Sequence, residues 1–472
     1  MLSEKDKEHR KQPQIICIED LVPADHLLRK IEAALDFNFI RNEVKEFYCL
    51  DNGRPSIDPV VLIKLCMINY LYGLSSMRRT VRECEVNMAY KWFLGYDMLE
   101  RVPHFSTFGK NYLRRFEGTD IFERIFARIL DEAIACKLVD TNTIYIDGTH
   151  IKANANTKKN IKVQVEKEAK HYGKKLLEEV NAIRAEEGKK PFKDDNDDDG
   201  SGKESKTKTV STSGPESGLF HKGEHKKCFA YGAHTVCDRN NFVLDVKITA
   251  GSLHDSVVFD EVYQSVKQKY GKPKRAVLDA GYKTPWICKQ LLDDGVEPYM
   301  PYKRPMTKKG YFKKYEYAYD EYYDCYICPE NQVLEYTTTN REGYREYKSK
   351  CSDCATCPSK EKCTQSQNST KVVTRHIWQE YLEKAEDLRH TSYGQALYAT
   401  RGQTIERVFA DAKEKHGMRY TRMNGLTKIK SQVLMTFACL NLKKLTKLKE
   451  KLGLLSSFIV HLFSKKNLSF SI

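Results

Sequence analysis

Residues 143–159 read TIYIDGTHIKANANTKK, and this stretch decides how the rest of the chain can be interpreted. Its first four residues are β-branched or aromatic, which is typical of a short buried strand. Asp147 follows at the predicted end of that strand. A carboxylate beside an apolar strand is costly to bury unless it has a partner. A lone Asp here is also explained by a turn cap, so a functional role requires further carboxylates in similar positions.

Two further carboxylates have such positions. Asp279 follows the apolar run 276–278 in KRAVLDAG, and Glu406 lies in TIERVFADAKEKHGMR, residues 404–419. In the second stretch apolar residues recur at the spacing of a helix with one buried stripe. Glu406 borders that stripe, and Lys413, two turns later, shares its face. Two Asp and one Glu placed in this way form a set of hard oxygen ligands for two Mg²⁺ (or Mn²⁺) ions, about 3.5–4 Å apart, that act on a phosphodiester.

Four motifs in this order resemble the DDE transposases of bacterial insertion sequences: DGTHIKANANTKK (147–159), GSLHDS (251–256), LDAGY (278–282) and the helix around Glu406. The resemblance implies an α/β, RNase H-like core, with a mixed sheet flanked by helices. It also implies that Asp147, Asp279 and Glu406 bind the catalytic metals. Related catalytic helices carry a Tyr-Arg-Glu-Lys signature, which Tyr398, Arg401, Glu406 and Lys413 fit with one extra residue before Glu406.

The expected activity is therefore cleavage at the ends of an insertion sequence and joining of the 3′-OH ends to target DNA. Arg401 and Lys413 would contact DNA phosphates or stabilise developing charge, and Tyr398 would position the strand. The expected partner is double-stranded DNA, both terminal inverted repeats and target, bound by a homodimer. Two alternatives stay open: a metal-dependent nuclease without strand transfer, and a catalytically silent DNA-binding derivative.

Composition agrees with a nucleic-acid partner. The chain has 472 residues and a net charge of +15, with a pI near 9.0. Such basicity favours a polyanion, although general surface charge also explains it. No signal peptide is recognised, and the apolar run 60–74 is short and contains Lys64 and Asn69. These features predict a cytoplasmic, nucleoid-associated protein without a membrane partner. Fifteen cysteines without a secretion signal favour thiols or metal ligands over disulfides.

The chain divides into five predicted parts. Residues 1–140 form a helical, DNA-binding domain, 141–304 the first part of the core, 305–375 a Cys-rich insertion, 376–450 the C-terminal core helices, and 451–472 a tail. Within the core, residues 160–190 are predicted to form a charged helix and 193–212 a disordered linker. The segments 229–236 and 242–249 predict a hairpin that pairs antiparallel with the strand before Asp147.

Clustered basic residues in the N-terminal domain predict DNA contacts of the helix-turn-helix type. The alternative is a packing domain with solvated basic side chains. The residues concerned are Arg78, Arg79, Arg82, Lys110, Arg114 and Arg115.

The insertion resembles a zinc ribbon, because its cysteines occur in closely spaced groups that could supply four thiolates to a structural Zn²⁺. We expect Cys325 and Cys328 to bind together with two of the other four; free thiols are the alternative. Lys308 and Lys309, interleaved with aromatic residues, predict contacts with DNA phosphates and bases. The remaining cysteines are Cys351, Cys354, Cys357 and Cys363.

Overall fold

A computed structural model of the chain describes residues 11–49, 56–166, 172–193, 205–222, 226–304, 307–421 and 423–455. Most of the predicted linker, residues 194–204, lies outside the described residues, and so does most of the predicted tail, residues 456–472.

The N-terminal part is helical, as predicted. Its helices are α1 (Ile18–Leu21), α2 (Leu27–Ala34), α3 (Phe39–Val44), α4 (Pro59–Leu71), α5 (Met77–Val86), α6 (Met88–Leu94), α7 (Phe105–Asn111) and α8 (Ile121–Ala135). Helix α4 lies at the centre and begins with Asp58 as N-cap and Pro59 at its first position. Lys64 interrupts its apolar sequence, but its ammonium lies 2.7 Å from Glu32 and above the rings of Phe37 and Phe93. The charge is therefore paired where it is buried.

The central part is an α/β unit built on a six-stranded mixed sheet. Its elements are β1 (Thr143–Lys152), β2 (Asn160–Glu166), α9 (Gly173–Glu186), β3 (Ser205–Ser211), β4 (Gly218–Lys222), β5 (Lys226–Asp238), β6 (Val243–Ala250), α10 (Asp255–Tyr270), β7 (Arg275–Leu278), α11 (Pro285–Asp293) and β8 (Glu297–Tyr299). The strand order is β4-β5-β1-β7-β8, and β6 also pairs with β5. Strand β1 is antiparallel to β5 and parallel to β7, so the predicted hairpin and its pairing with β1 are confirmed.

Two expectations for this part are wrong. Residues 160–190 do not form one charged helix: β2 comes first, and α9 begins only at Gly173. Residues 205–211 of the predicted linker form β3, which pairs antiparallel with β2. Strands β2 and β3 satisfy their backbone hydrogen-bonding groups by pairing with each other, so the pair needs few apolar side chains.

The Cys-rich insertion contains a five-stranded antiparallel sheet. Its elements are β9 (Ala318–Asp320), β10 (Cys325–Ile327), β11 (Val333–Thr339), β12 (Tyr344–Ser349), α12 (Cys351–Ala355), α13 (Lys360–Cys363) and β13 (Val372–His376). The order is β13-β12-β11-β10-β9 around a small core that includes Tyr326, Leu334 and Tyr347. A zinc-ribbon fold is not confirmed, since Cys351 and Cys354 lie on a helical turn where that fold would place a β knuckle.

Four helices follow in the described residues up to 455: α14 (Gln379–His390), α15 (Ser392–Ala399), α16 (Ile405–Lys415) and α17 (Leu426–Lys451). The long helix α17 packs against α8, α4 and α2 on one side and β6 on the other. Its buried Asn441 side chain accepts a hydrogen bond from Val243 N and donates one to Val243 O, both at 2.9 Å. Helix α17 thus joins the helical part to the sheet. Among the described helices, none has the length and apolar character to cross a bilayer.

The C-terminal end of α4 is capped by side chains from the C-terminal part of the chain. The Nδ1–H group of His416, just after α16, donates to the carbonyl of Tyr70 at 2.8 Å. Lys443 on α17 donates to the carbonyl of Leu71 at 2.5 Å. Carbonyls at a helix C-terminus lack intrahelical partners and favour cations. These contacts fix α4 against the core.

His416 gives this interface a pH dependence. Burial, helped by the charge of Lys443, lowers the pKa of His416 to about 4 from the ordinary 6.5. As the pH falls below 6.5, His416 becomes protonated in the unfolded chain but stays neutral in the folded chain. The free energy of unfolding therefore decreases until about pH 4, where the folded chain is protonated as well. We expect His416 to cost about 2 kcal/mol of unfolding free energy between pH 7.5 and pH 5. Chemical unfolding at the two pH values measures this loss.

The matched variant is His416→Asn, whose amide can still donate to Tyr70 but does not titrate. It should lose less stability than the wild type over the same pH interval. Equal losses in the two proteins would show that His416 is not the group responsible.

Candidate active site

Asp147 and Asp279 lie side by side on the central sheet. In the parallel pairing of β1 with β7, Ile146 is opposite Leu278, and the two Asp residues come next on each strand. Strand β1 does not end at Asp147, as the sequence suggested: it continues to Lys152, paired with β5. Asp147 therefore lies just beyond the last residue of β1 that pairs with β7, and 15% of its side chain is exposed. Residues 132 positions apart in sequence thus meet at one edge of the β1–β7 pairing.

Arg401 connects this pair to the third carboxylate. Its Nη2 donates to Asp147 Oδ2 at 2.5 Å, and its Nε lies 3.8 Å from Glu406 Oε1. The residue is only 4% exposed, and its Nε and Nη1 atoms make no hydrogen bond within the described part of the chain. Arg401 is therefore paired with a carboxylate in this conformation.

The turn that carries Arg401 is held to the sheet. It is the 3₁₀ turn Thr400–Gln403, between α15 and α16. The hydroxyl of Tyr145 on β1 lies 2.7 Å from Thr400 Oγ1. Asn241, in the β5–β6 hairpin, donates to the carbonyl of Gln403 at 3.0 Å. Arg401 is thus positioned by contacts on both sides of its turn.

Helix α16 has the predicted buried stripe of Ile405, Val408, Phe409 and Ala412. Glu406, in its first turn, is 60% exposed at the side chain, so it can move without unpacking the helix. Lys413 is half-buried and lies near His150, where its charge adds to burial in lowering the pKa of that imidazole. The ring of Tyr398 lies 5.6 Å from the Arg401 guanidinium. Tyr398 and Glu406 therefore both lie beside Arg401, and Lys413 lies near His150.

The centre is acidic. Burial raises the pKa of Asp147 to about 6. The charge of Arg401 and the Gly148 N–H oppose this shift, whereas the charges of Asp279 and Asp255 add to it. Concentrated negative charge of this kind favours a bound cation.

Asp255 is a fourth carboxylate at this centre. A Cβ built on Gly148 would lie 2.5 Å from Asp255 Oδ1, and one on Gly281 would lie 3.3 Å from Oδ2. Asp255 therefore packs against the backbone just beyond Asp147 and Asp279, where glycine leaves room. His234 Nδ1, almost fully buried on β5, lies 3.3 Å from Asp255 Oδ1. Burial raises the pKa of Asp255, but the interactions with His234, His254 and His150 together outweigh burial, so the pKa lies below its ordinary value.

Sequence analysis singled out neither His234 nor the contact between its ring and Asp255. The motif GSLHDS does contain Asp255, which also forms the first turn of α10 behind the His254 N-cap. A His within an apolar strand carries no local signal for its partner, which lies 21 positions away.

The carboxylates have the right chemistry for a divalent metal, but they are too far apart in this conformation to bind one together. Asp147, Asp279 and Glu406 offer the hard oxygens that Mg²⁺ prefers. A dication would also offset the negative charge that raises the pKa of Asp147. Yet within the described residues no three His, Cys, Asp or Glu side chains converge closely enough to hold a metal ion. Metal binding would therefore require Glu406 to approach the Asp pair.

The predicted DNA-binding residues of the helical part lie on two neighbouring helices and the turn that follows. Arg78, Arg79 and Arg82 are exposed on α5, and Lys110 is exposed on α7. The guanidinium of Arg78 lies 4.5 Å from the ring of Phe105 on α7. The π-helical turn Tyr112–Phe116 carries Arg114, which is exposed, and Arg115, which lies over the ring of Tyr48. These side chains extend one basic surface. Lys308 and Lys309 are exposed in the insertion.

The fold and the arrangement of these residues together indicate a class of protein. An α/β unit with a mixed sheet, two Asp side by side on adjacent parallel strands and a Glu on a nearby helix is the layout expected of a nucleic-acid-processing enzyme with the RNase H-like fold.

Comparison with protein families supports this class. Residues 16–114 match the family "Transposase domain (DUF772)", and residues 327–446 match "Transposase DDE domain". The second match includes Tyr398, Arg401, Glu406 and Lys413 and lies downstream of both Asp residues. Together the matches support an insertion-sequence DDE transposase, which confirms the resemblance drawn from the motifs. No curated protein and no solved structure matched the chain.

The domain matches have three implications. A DDE domain implies the RNase H-like fold, and the observed sheet and helices agree with it. DDE transposases act on DNA, and they generally use divalent metals such as Mg²⁺.

Proposed function

We propose that this transposase cuts DNA at the ends of its insertion sequence by hydrolysis and joins the resulting 3′-OH ends to target DNA by transesterification. Two observations support the proposal: Asp147 and Asp279 come next after paired positions of β1 and β7, and Arg401 connects Asp147 to Glu406. Cutting and joining both act on a phosphodiester, so one set of carboxylates can serve both steps.

Asp147, Asp279 and Glu406 would hold two Mg²⁺ or Mn²⁺ ions. Divalent ions there would lower the pKa of the attacking hydroxyl and stabilise the leaving oxygen. Arg401 would orient the Asp147 carboxylate through its hydrogen bond. Lys413, on the face of α16 that carries Glu406, would contact the DNA backbone, and Tyr398 would position the strand.

The basic surface of α5, α7 and the following turn would bind the terminal inverted repeats, and Lys308 and Lys309 would contact flanking DNA. Two ends must be cut and joined together, so we propose a homodimer on DNA. Its site of action would be the bacterial nucleoid, in the cytoplasm.

The test is a cleavage and joining assay with the full chain, Mg²⁺ and linear DNA that carries the sequences flanking the gene. A transposase gives nicks at the element ends and, with supercoiled plasmid added, covalently joined products. Nicks without joined products would instead show a nuclease of the same fold. Tight DNA binding without nicks, in Mg²⁺ and also in Mn²⁺, would show a catalytically silent DNA-binding derivative.

Asp255→Asn should slow cleavage about 10–100-fold, the usual cost of losing a side chain that supports a metal ligand. The amide keeps the volume beside Gly148 and Gly281 but removes the charge that pairs with His234. Cleavage rate is measured against Mg²⁺ concentration. If Asp255 positions a metal ligand, the variant should need a higher Mg²⁺ concentration to reach half of its maximal rate. Glu261→Gln, on the exposed side of the same helix, is the matched control. Wild-type kinetics for Asp255→Asn would contradict the role.

A further inference from the structure

Four cysteines of the insertion line one small cavity. They are Cys328, Cys354, Cys357 and Cys363, and the cavity measures about 20 Å³, room for a single ion or water. They come from three places: the turn after β10, helix α12 with its following loop, and the end of α13. Cys325 and Cys351 do not line the cavity.

Strand geometry explains why Cys325 is absent. Side chains alternate between the two faces of a strand, so residues three positions apart point to opposite faces. Cys325 begins β10, and Cys328 immediately follows it. Cys328 packs with Tyr326 against the small core of the insertion, whereas Cys325 pairs across the sheet with Asp320 and Glu335. Acidic neighbours also disfavour a thiolate at Cys325.

The segment 350–371 lacks an apolar core that could hold it. Helices α12 and α13 have five and four residues, too short for stability alone, and neither has a buried residue. Every residue of this segment is described, and Ser369 is the one that is buried. Small modules without a core are commonly held by disulfides or a metal. All 15 cysteines, each within the described part of the chain, are free thiols.

We propose that Cys328, Cys354, Cys357 and Cys363 bind one structural Zn²⁺ ion, which fixes the 350–371 segment to the insertion sheet. Four thiolates in tetrahedral geometry are a common structural zinc site. Lys371 also lines the cavity and donates to the carbonyl of Cys363 at 2.8 Å, and Glu330 and Asp353 line the cavity as well.

Three of the sulfurs now make contacts that zinc ligation would replace. Cys354 donates to Ser349 Oγ at 3.1 Å, Cys363 lies 3.1 Å from the hydroxyl of Tyr317, and Cys328 accepts from Gln332 N at 3.3 Å. These contacts hold the thiols away from one common point, which agrees with the absence of a three-ligand cluster among the described residues. Zinc would replace these weak sulfur contacts with bonds of about 2.3 Å.

The experiment measures metal in the full chain, purified under reducing conditions with zinc supplied. We expect about one zinc per chain in the wild type, and thiolate-to-metal charge-transfer absorption after exchange for Co²⁺. Single Cys→Ser changes at positions 328, 354, 357 and 363 should each lower zinc content severalfold. Cys325→Ser and Cys351→Ser are matched controls and should keep it.

Alkylation of the wild-type protein gives a second reading if a variant fails to fold. With zinc bound, the four cysteines should resist iodoacetamide, and a chelator should expose them, as mass spectrometry of peptides would show. Cys351, which is exposed, should react under both conditions. Chelation should also make the protein sensitive to trypsin at Lys360 and Lys362.

Three results would overturn the site: wild-type protein without stoichiometric metal, equal loss of zinc in the two control variants, or a disulfide among the four cysteines. None of these readings uses DNA cleavage. Their outcome is therefore independent of the proposed transposition activity.

Discussion

Asp147→Asn and Asp279→Asn are each expected to cleave element-end DNA at least about 10³-fold more slowly than the wild type. A metal ligand at the reacting phosphate supplies several kcal/mol of transition-state stabilisation, and each 1.36 kcal/mol is a factor of ten. The two side chains occupy equivalent places on adjacent strands, so neither can take over for the other. Glu406→Gln should behave similarly.

DNA binding should survive these changes, and the chain should still fold. Asp147→Asn keeps the size of the side chain but removes the charge that pairs with the buried Arg401 guanidinium, so a lower melting temperature is expected for this variant. Single-turnover cleavage, DNA binding by fluorescence anisotropy and thermal melting separate the three properties. Asp293→Asn and Glu414→Gln, exposed carboxylates on α11 and α16, are matched controls. Cleavage by Asp147→Asn within tenfold of the wild type would exclude Asp147 from the reaction.

The placement of the three carboxylates was accessible from the sequence because each has a local signature. Asp147 and Asp279 follow short apolar runs, and Glu406 borders a helical stripe. That β1 and β7 are neighbours was not accessible from these patterns. Parallel strands far apart in sequence pair through contacts that no local window contains, so the adjacency came from the family resemblance.

One error had a recognisable signal. In residues 160–166 Ile161, Val163 and Val165 alternate with polar residues, which is the period of a strand, but the charge of the surrounding segment favoured a helix. The spacing of Cys325 and Cys328 suggested a knuckle, whereas a strand at Cys325 places the two side chains on opposite faces. Their shared zinc ligation stays a prediction. The burial of Arg401 had no such signal. Its partner Asp147 is 254 residues away, and an Arg in a polar sequence is ordinarily solvated.

Arg401→Met is expected to lower the free energy of unfolding by about 3–5 kcal/mol, the usual cost of breaking a buried ion pair from one side. Both partners are largely inaccessible, with 5% of the Arg401 side chain and 15% of the Asp147 side chain exposed. Cleavage should also fall about 10²-fold, because the Asp147 carboxylate loses the donor that orients it and a displacement near 1 Å has that effect. Chemical unfolding and single-turnover cleavage measure the two losses.

A double-mutant cycle identifies the cause. Asp147→Asn already breaks the ion pair. In that background Arg401→Met leaves no carboxylate charge at position 147 unpaired, so it should destabilise the protein far less than it does in the wild type. Arg407→Met, exposed on α16 beside Asp411, is the matched control and should change stability by less than about 0.5 kcal/mol. Arg401→Lys keeps the charge but cannot reach Asp147 and Glu406 together, so it should fall between wild type and Arg401→Met. If Arg401→Met costs the same stability in both backgrounds, the residue stabilises its turn by packing and not by holding the Asp147 carboxylate in place.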